Sequence, residues 1–308
     1  MIKSRVIRVG SRGSALALRQ TEEALEQLRP SQPGVDFQVI TVHTSGDADQ
    51  TSSLTEMAPN IGQGVFVKEI EQELLNGNLD MAVHSLKDLP TIQPDGLTLG
   101  AVLKRQDPRD VLVNRWDCPL DQLPEGARIG TSSPRRKAQL MDLCPQAEVL
   151  PMRGSVLTRL EKAKSEDFDG AVLAAAGLVR LEQTEGIAEY LSAQEFVPPP
   201  GQGVLAVEIR DGDQDLRNLL RPLENSDSRY AITAERAFLE KLGGGCTLPV
   251  GAFARSTGEN LLLTIFLASA DGKRCFRAKI QGLLHDPLQL AGDAYMALLE
   301  RGGRQLLR

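Results

Sequence analysis

The sequence predicts an α/β protein: two α/β domains forming a clamshell, followed by a small C-terminal α+β domain. Three observations lead there. Short apolar runs at 6–10, 81–85, 127–131, 149–152 and 170–176 each end in a polar or glycine turn, and most run on into a helical pattern. A charged stretch at 104–109 and Pro198-Pro199-Pro200 interrupt that alternation, as two crossings between domains would. After residue 226 the order changes to one long helix, three strands and a closing helix. The expected domains are 1–103 with 200–222, then 104–199, then 223–308.

The first strand, 6–10, runs into Ser11-Arg12-Gly13-Ser14 and a helix over 15–28, with Leu16, Gln20, Ala24 and Leu28 on one side. Ser14 is the expected N-cap, and a strand, a polar turn and a helix N-terminus beside Arg12 could take an anion, though this segment alone reads Arg12 as a solvated loop charge. A strand at 36–44 leads to a long polar loop at 45–60, and Gly62-Gln63-Gly64 opens a helix to Asn76 that carries Phe66, Ile70 and Leu74 on one face. Neither these glycines nor Gly201-Gln202-Gly203-Val204-Leu205-Ala206 is read as a nucleotide loop. The second fits GxGxxA, but a strand follows it where the fingerprint needs a helix.

The run 81–85 ends in His84-Ser85-Leu86-Lys87-Asp88-Leu89-Pro90, which puts Lys87 and Asp88 beyond the carboxyl end of a buried strand, where open α/β sheets place ligands. Strands at 97–103 and 110–114 flank the charged crossover. After 127–131 come Ser132-Ser133-Pro134-Arg135-Arg136, with Ser133 as cap, Pro134 in the first turn and two arginines over the positive end of a helix. Bases there are unfavourable without an anion to neutralise them. Arg153 and Arg159 follow the next strand, and Arg180 follows the one after. Three β-to-α junctions that deliver guanidinium groups match a polycarboxylate better than one phosphate.

A strand at 203–210 is assigned back to the first domain. The helix 227–242 ends in Gly243-Gly244-Gly245, before Cys246 and Pro249; strands at 250–255, 261–268 and 274–280 and a helix over 287–300 complete the chain. By itself Cys246 reads more readily as a small buried residue in a tight turn than as a presented thiol; the arginines and Asp88 elsewhere in the chain tip the balance to the thiol.

Composition removes several classes. Aromatic residues are 4% and net charge is -6, so neither base-stacking platforms nor a basic nucleic-acid footprint is expected. The longest apolar run is too short for a bilayer, and no secretory core opens the chain, which leads to the expectation of a cytoplasmic protein without membrane contact. Four cysteines without CxxC spacing and three scattered histidines imply free thiols and no metal site.

Taken together these residues resemble the porphobilinogen deaminase family over nearly the whole chain. The markers are Ser11-Arg12-Gly13-Ser14-Ala15-Leu16-Ala17-Leu18, Thr44-Ser45-Gly46-Asp47, Val83-His84-Ser85-Leu86-Lys87-Asp88-Leu89-Pro90 and Asp107-Pro108-Arg109-Asp110. Further along stand Gly130-Thr131-Ser132-Ser133-Pro134-Arg135-Arg136, Arg153-Gly154 with Thr158-Arg159, Thr233-Ala234-Glu235-Arg236 and Gly244-Gly245-Cys246. The resemblance implies an enzyme that condenses four porphobilinogen molecules head to tail into hydroxymethylbilane with release of four ammonia molecules. It implies a dipyrromethane cofactor in thioether linkage to Cys246 and Asp88 as the central catalytic acid. It further implies that Ser85, Lys87, Asp88, Thr131, Ser133, Arg135 and Arg136 hold the cofactor. Arg12, Ser14, Gln20, Arg153, Arg159 and Arg180 would hold the incoming ring and the growing oligopyrrole. The expected state is a monomer whose only partner is that small-molecule substrate. Gln63 and Ser155 depart from the family pattern, where lysine and asparagine are common. The competing class is a two-domain binding protein with the same fold, which would need neither a catalytic Asp88 nor a free Cys246.

Overall fold

The computed structural model describes residues 6–42, 67–243 and 248–306. The first part of the chain carries β1 (Val6–Arg12), α1 (Ala15–Leu28), β2 (Asp36–Val42), α2 (Lys68–Leu75), β3 (Met81–Ser85) and β4 (Leu97–Val102). Next come β5 (Asp110–Asn114), β6 (Arg128–Gly130), α3 (Pro134–Leu143), β7 (Glu148–Leu150), α4 (Val156–Lys162), β8 (Gly170–Ala174), α5 (Ala175–Arg180) and β9 (Glu189–Tyr190). The rest holds β10 (Leu205–Arg210), α6 (Gln214–Leu220), α7 (Ser226–Lys241), β11 (Val250–Thr257), β12 (Asn260–Ala268), β13 (Cys275–Leu283) and α8 (Pro287–Glu300). The mixed α/β class is as the sequence predicts.

The chain divides into two compact units, Met1–Gln106 with Val204–Arg229 and Asp107–Gly203 with Tyr230–Arg308. In the first, a five-stranded sheet runs β2-β1-β3-β10-β4, with β1 parallel to β2 and β3 and with β10 inserted antiparallel between β3 and β4. Alternate residues face opposite sides of a strand. Ile7, Val9, Met81, Val83, Val207 and Ile209 therefore pack under α1 and α6, while Ala82 packs with Ile70 and Leu74 of α2 on the other face.

The second unit contains two sheets. One has the order β7-β6-β8-β5-β9; the other is the antiparallel β11-β12-β13. Leu112, Ile129, Val172 and Leu140 build the core on one face of the first sheet, and Val111, Val113, Ala171 and Leu173 build that on the other. In the antiparallel sheet, Ala252, Leu263, Ile265 and Leu267 meet Ala234 and Phe238 of α7 and Leu290, Ala294 and Leu298 of α8.

Three capping serines stand where the sequence placed caps or turns. The hydroxyls of Ser14, Ser133 and Ser155 accept from the backbone N–H groups of Ala17, Arg136 and Thr158. Ser155 thus performs the capping that an asparagine would, so this departure from the family pattern leaves α4 intact. Several strand ends shift by one to two residues, and two differences have a clear cause. The strand predicted over 170–176 stops at Ala174 because Ala175 and Ala176, strong helix formers, begin α5. The short helix α6, capped by Asp213, was not foreseen.

Candidate functional site

In the first unit the parallel pairing of β1 and β3 brings their carboxyl ends side by side. Arg12 is the last residue of β1, Ser14 caps α1, and Ser85 ends β3. A 3-10 turn, Leu86–Asp88, follows, and the buried side chains of Leu86 and Leu89 pin it at both ends. The backbone N–H of Leu86 also donates to the Val204 carbonyl at 3.0 Å. Asp88 is thereby held half-buried at a fixed place. Gln20 comes across from α1, donating through Nε2 to Ser85 Oγ at 2.8 Å. Arg12, Ser14, Gln20, His84, Ser85 and Asp88 line one pocket. The first unit thus gathers five expected site residues. Lys87 lies on the same turn, half-buried, and does not line this pocket.

In the second unit Thr131 follows β6, and its N–H donates to the Leu150 carbonyl at 2.8 Å, while its hydroxyl accepts from the N–H of Ser133 at 3.2 Å. That places Ser133 as the cap of α3. Arg135 and Arg136, in the first turn, are almost wholly buried and converge on Asp110 at the start of β5. Arg135 Nη2 lies 2.7 Å from Asp110 Oδ2, and Arg136 Nη2 lies 2.7 Å from Oδ1. Gln202 Nε2 donates to the same Oδ1 at 3.0 Å and to the Pro108 carbonyl at 2.8 Å.

The anion that the sequence demanded at this helix start is therefore present within the chain. Burial pushes the Asp110 carboxyl up, but the two guanidinium groups outweigh it and hold the carboxyl well below the usual range. One carboxylate against two guanidinium groups leaves the buried cluster with one positive charge in excess. The Val197 and Val172 carbonyls accept from Arg135 Nη1 at 2.7 Å and Arg136 Nη1 at 3.0 Å and help to solvate that charge.

The other arginines also lie in the second unit. Arg153 follows β7, in a turn that needs Gly154 at φ +117°, and its carbonyl accepts from Lys162 Nζ at 3.1 Å. Arg159 Nε donates to the Gly154 carbonyl at 2.8 Å, folding the guanidinium over that turn. Arg180, at the end of α5, is buried, and its Nη2 donates to the Gly203 carbonyl at 3.1 Å. Cys246 and the loops at 45–60 and 62–64, with Gln63, lie outside the described residues.

Sequence reasoning missed Asp110 and Gln202 in the cluster of Arg135 and Arg136, Glu235, and Glu208, whose Oε2 lies 3.2 Å from His84 Nε2. Asp110 stood in a quoted motif, but its partners are 25 and 26 residues away, joined by strand pairing. Glu235 is buried, and its two carboxylate oxygens accept from the N–H groups of Gly201 at 2.7 Å and Ala254 at 2.8 Å. Glu208 offered one legible signal, an acid inside the otherwise apolar run Leu205-Ala206-Val207-Glu208-Ile209. Among the described residues no group of acids, histidines and cysteines could hold a metal ion, and no helix is long and apolar enough to cross a membrane.

Residues 7–218 match the family model "Porphobilinogen deaminase, dipyromethane cofactor binding domain", and residues 229–300 match "Porphobilinogen deaminase, C-terminal domain". Porphobilinogen deaminase of Thermus thermophilus is 46% identical over 304 residues, covering 98% of this chain and 98% of that protein. The porphobilinogen deaminase of Syntrophus aciditrophicus is 42% identical over 301 residues, covering 98% and 97%. A solved nutrient binding protein from Burkholderia cenocepacia bound to methionine gives a TM-score of 0.42 at 14% identity, over 70% of this chain and 90% of that one, a likeness too slight to bear on the site.

Proposed function

The chain belongs to the porphobilinogen deaminase family, and on that premise we propose how its residues serve the reaction. It is a deaminating transferase that joins four porphobilinogen molecules head to tail into hydroxymethylbilane, with loss of four ammonia, in tetrapyrrole biosynthesis. The family's cofactor is dipyrromethane. When bound, it supplies a nucleophilic pyrrole end on which the chain is extended. In our proposal Cys246 anchors it through a thioether, since a thiolate is the side chain best suited to capture an electron-poor methylene carbon.

The observation that carries the site reading is the pocket at the ends of β1 and β3, where Arg12 ends one strand and Asp88 stands on the turn that follows the other. Each pyrrole ring bears an acetate and a propionate. Arg12, Ser14 and Gln20 would take ring carboxylates through N–H and O–H donors. Asp88 would sit against the ring N–H groups and stabilise the positive charge that develops as ammonia departs. Thr131, Ser133, Arg135 and Arg136 would hold the cofactor's carboxylates; the excess positive charge around Asp110 supports this. Lys87 and Ser85 complete that cofactor set, and Arg153, Arg159 and Arg180 are assigned to the lengthening chain.

The fit of a polycarboxylate group rests on the same excess charge and on the hydroxyl and guanidinium donor set. The proposed domains, 1–103 with 200–222, 104–199 and 223–308, are supported by three sheets, each with its own core. Monomeric action in the cytoplasm, free of membrane and nucleic acid, belongs to the same proposal. The test is incubation of the purified chain with porphobilinogen, with ammonia and tetrapyrrole followed together. Four ammonia per tetrapyrrole is the expected ratio. Ligand retention without ammonia release would favour a binding protein instead.

A further inference from the structure

On the face of the first sheet that packs against α2, His84 and Glu208 meet in the interior, and the buried Glu71 of α2 lies within electrostatic reach of both. His84 and Glu208 stand on β3 and β10, where Ala206 pairs with His84 and Ala82 with Glu208, so both side chains project from one face. His84 Nε2 lies 3.2 Å from Glu208 Oε2, and both side chains are fully shielded. The pair is at ion-pair distance but off hydrogen-bond alignment, which leaves both atoms buried without a hydrogen bond. Glu208 Oε1 accepts from Gln93 Nε2 at 2.8 Å. Glu71, on α2, is also buried, and its Oε1 has no hydrogen-bond partner among the described residues. Three such atoms from three elements in one core call for an explanation beyond packing. His84 supplies it, because this residue also belongs to the wall of the pocket that holds Arg12 and Asp88.

We infer that Glu71, Glu208 and His84 form a proton-holding cluster behind the pocket, and that its charge sets how tightly the pocket takes a carboxylate-bearing pyrrole. Burial, and then the charge of Glu208, push the Glu71 carboxyl up to about 7, with His84 and Lys68 pulling the other way. Two carboxylates sharing a buried site resist ionising together. Loss of the Glu71 proton makes the cluster one unit more negative just behind the pocket wall. Among the described residues the charges that reach it are those of Glu208 on β10, His84 on β3 and Lys68 on α2; Glu69 follows Lys68 on α2, and Arg12 and Asp88 share the pocket with His84. An anionic ring is bound better when Glu71 is protonated, so affinity falls as pH rises through neutrality. Glu71 touches neither substrate nor cofactor and acts through His84, as a positioning residue. This deepens the proposed function and rests on it.

The test is the pH dependence of KM for porphobilinogen between pH 6 and 8.5, where neither the ring carboxylates nor the aminomethyl group titrates. In the wild-type holoenzyme KM should rise roughly three- to tenfold, the effect of one partly screened charge at short range. Glu71→Gln should give a flat KM with kcat at pH 6 within about twofold of wild type, and Glu71→Asp should restore the rise. Thermal unfolding supplies a readout independent of turnover. A carboxyl raised by folding contributes stability that is complete below the ordinary glutamate value of 4.5 and lost as pH rises through about 7. Wild-type Tm should therefore fall from pH 5 to about pH 7 and then level, and Glu71→Gln should remove that decline. A KM rise that persists in Glu71→Gln overturns the inference and leaves the function standing. A wild-type chain that releases no ammonia from porphobilinogen overturns both.

Discussion

Asp88→Asn should lower kcat by on the order of 10²–10³, with porphobilinogen capture nearly unchanged. The substitution keeps size and hydrogen-bonding shape and removes only the charge. The 3-10 turn is fixed by Leu86 and Leu89, which stay in place, so the fold does not confound the result. What is lost is a preorganised carboxylate where positive charge develops, and such charge is worth most in a partly desolvated site. Steady-state turnover beside equilibrium binding of porphobilinogen checks it. A kcat within a few-fold of wild type would remove Asp88 from the chemistry and leave it a surface acid at a strand end.

The second large effect is on stability. Asp110→Ala leaves two guanidinium groups buried side by side with no carboxylate between them. Breaking a buried pair in this way costs about 3–5 kcal/mol, so Tm should fall by on the order of 10 °C. Adding a polycarboxylate ligand should recover part of that loss, because the missing charge is negative. The pH behaviour follows from the lowered carboxyl. A group depressed by folding contributes stability that is complete above its ordinary value of about 3.9 and lost as pH falls through the lower folded value. The wild-type chain should therefore keep an acid-sensitive limb below about pH 4 that Asp110→Ala lacks. Equal acid limbs in both proteins would contradict the assignment.

Local chemistry was what the sequence made legible. Serines before helical patterns marked Ser14 and Ser133 as caps, and apolar runs ending in polar turns located the strand ends at Arg12 and Ser85 and the turn that carries Asp88. On the sequence alone the anion expected over the first turn of α3 is a ligand, whereas the structure puts the carboxylate of Asp110 there. What local pattern does not specify is which strand pairs with which. Asp110 reaches Arg135 and Arg136 only because β5 pairs with β8, which lies beside β6. His84 meets Glu208 only because β10 returns, more than a hundred residues later, to lie antiparallel against β3. Side-chain partners set by such long-range register have no trace in spacing. The seven-residue α6 escaped for a different reason: about two turns carry too short a pattern to separate from a loop.

Cys246 is the residue on which the functional reading turns, and its substitution separates the two classes of protein. Cys246→Ser should abolish ammonia release, since a serine hydroxyl is a far weaker nucleophile at neutral pH than a thiol. The most direct measurement is the intact mass of the protein purified from cells, beside that of Cys246→Ser. The expected result is an adduct of two porphobilinogen units less their ammonia on the wild-type chain and none on the variant. A wild-type chain of unmodified mass that gains neither adduct nor activity on exposure to porphobilinogen would contradict it, and would leave Cys246 a structural thiol in a binding protein.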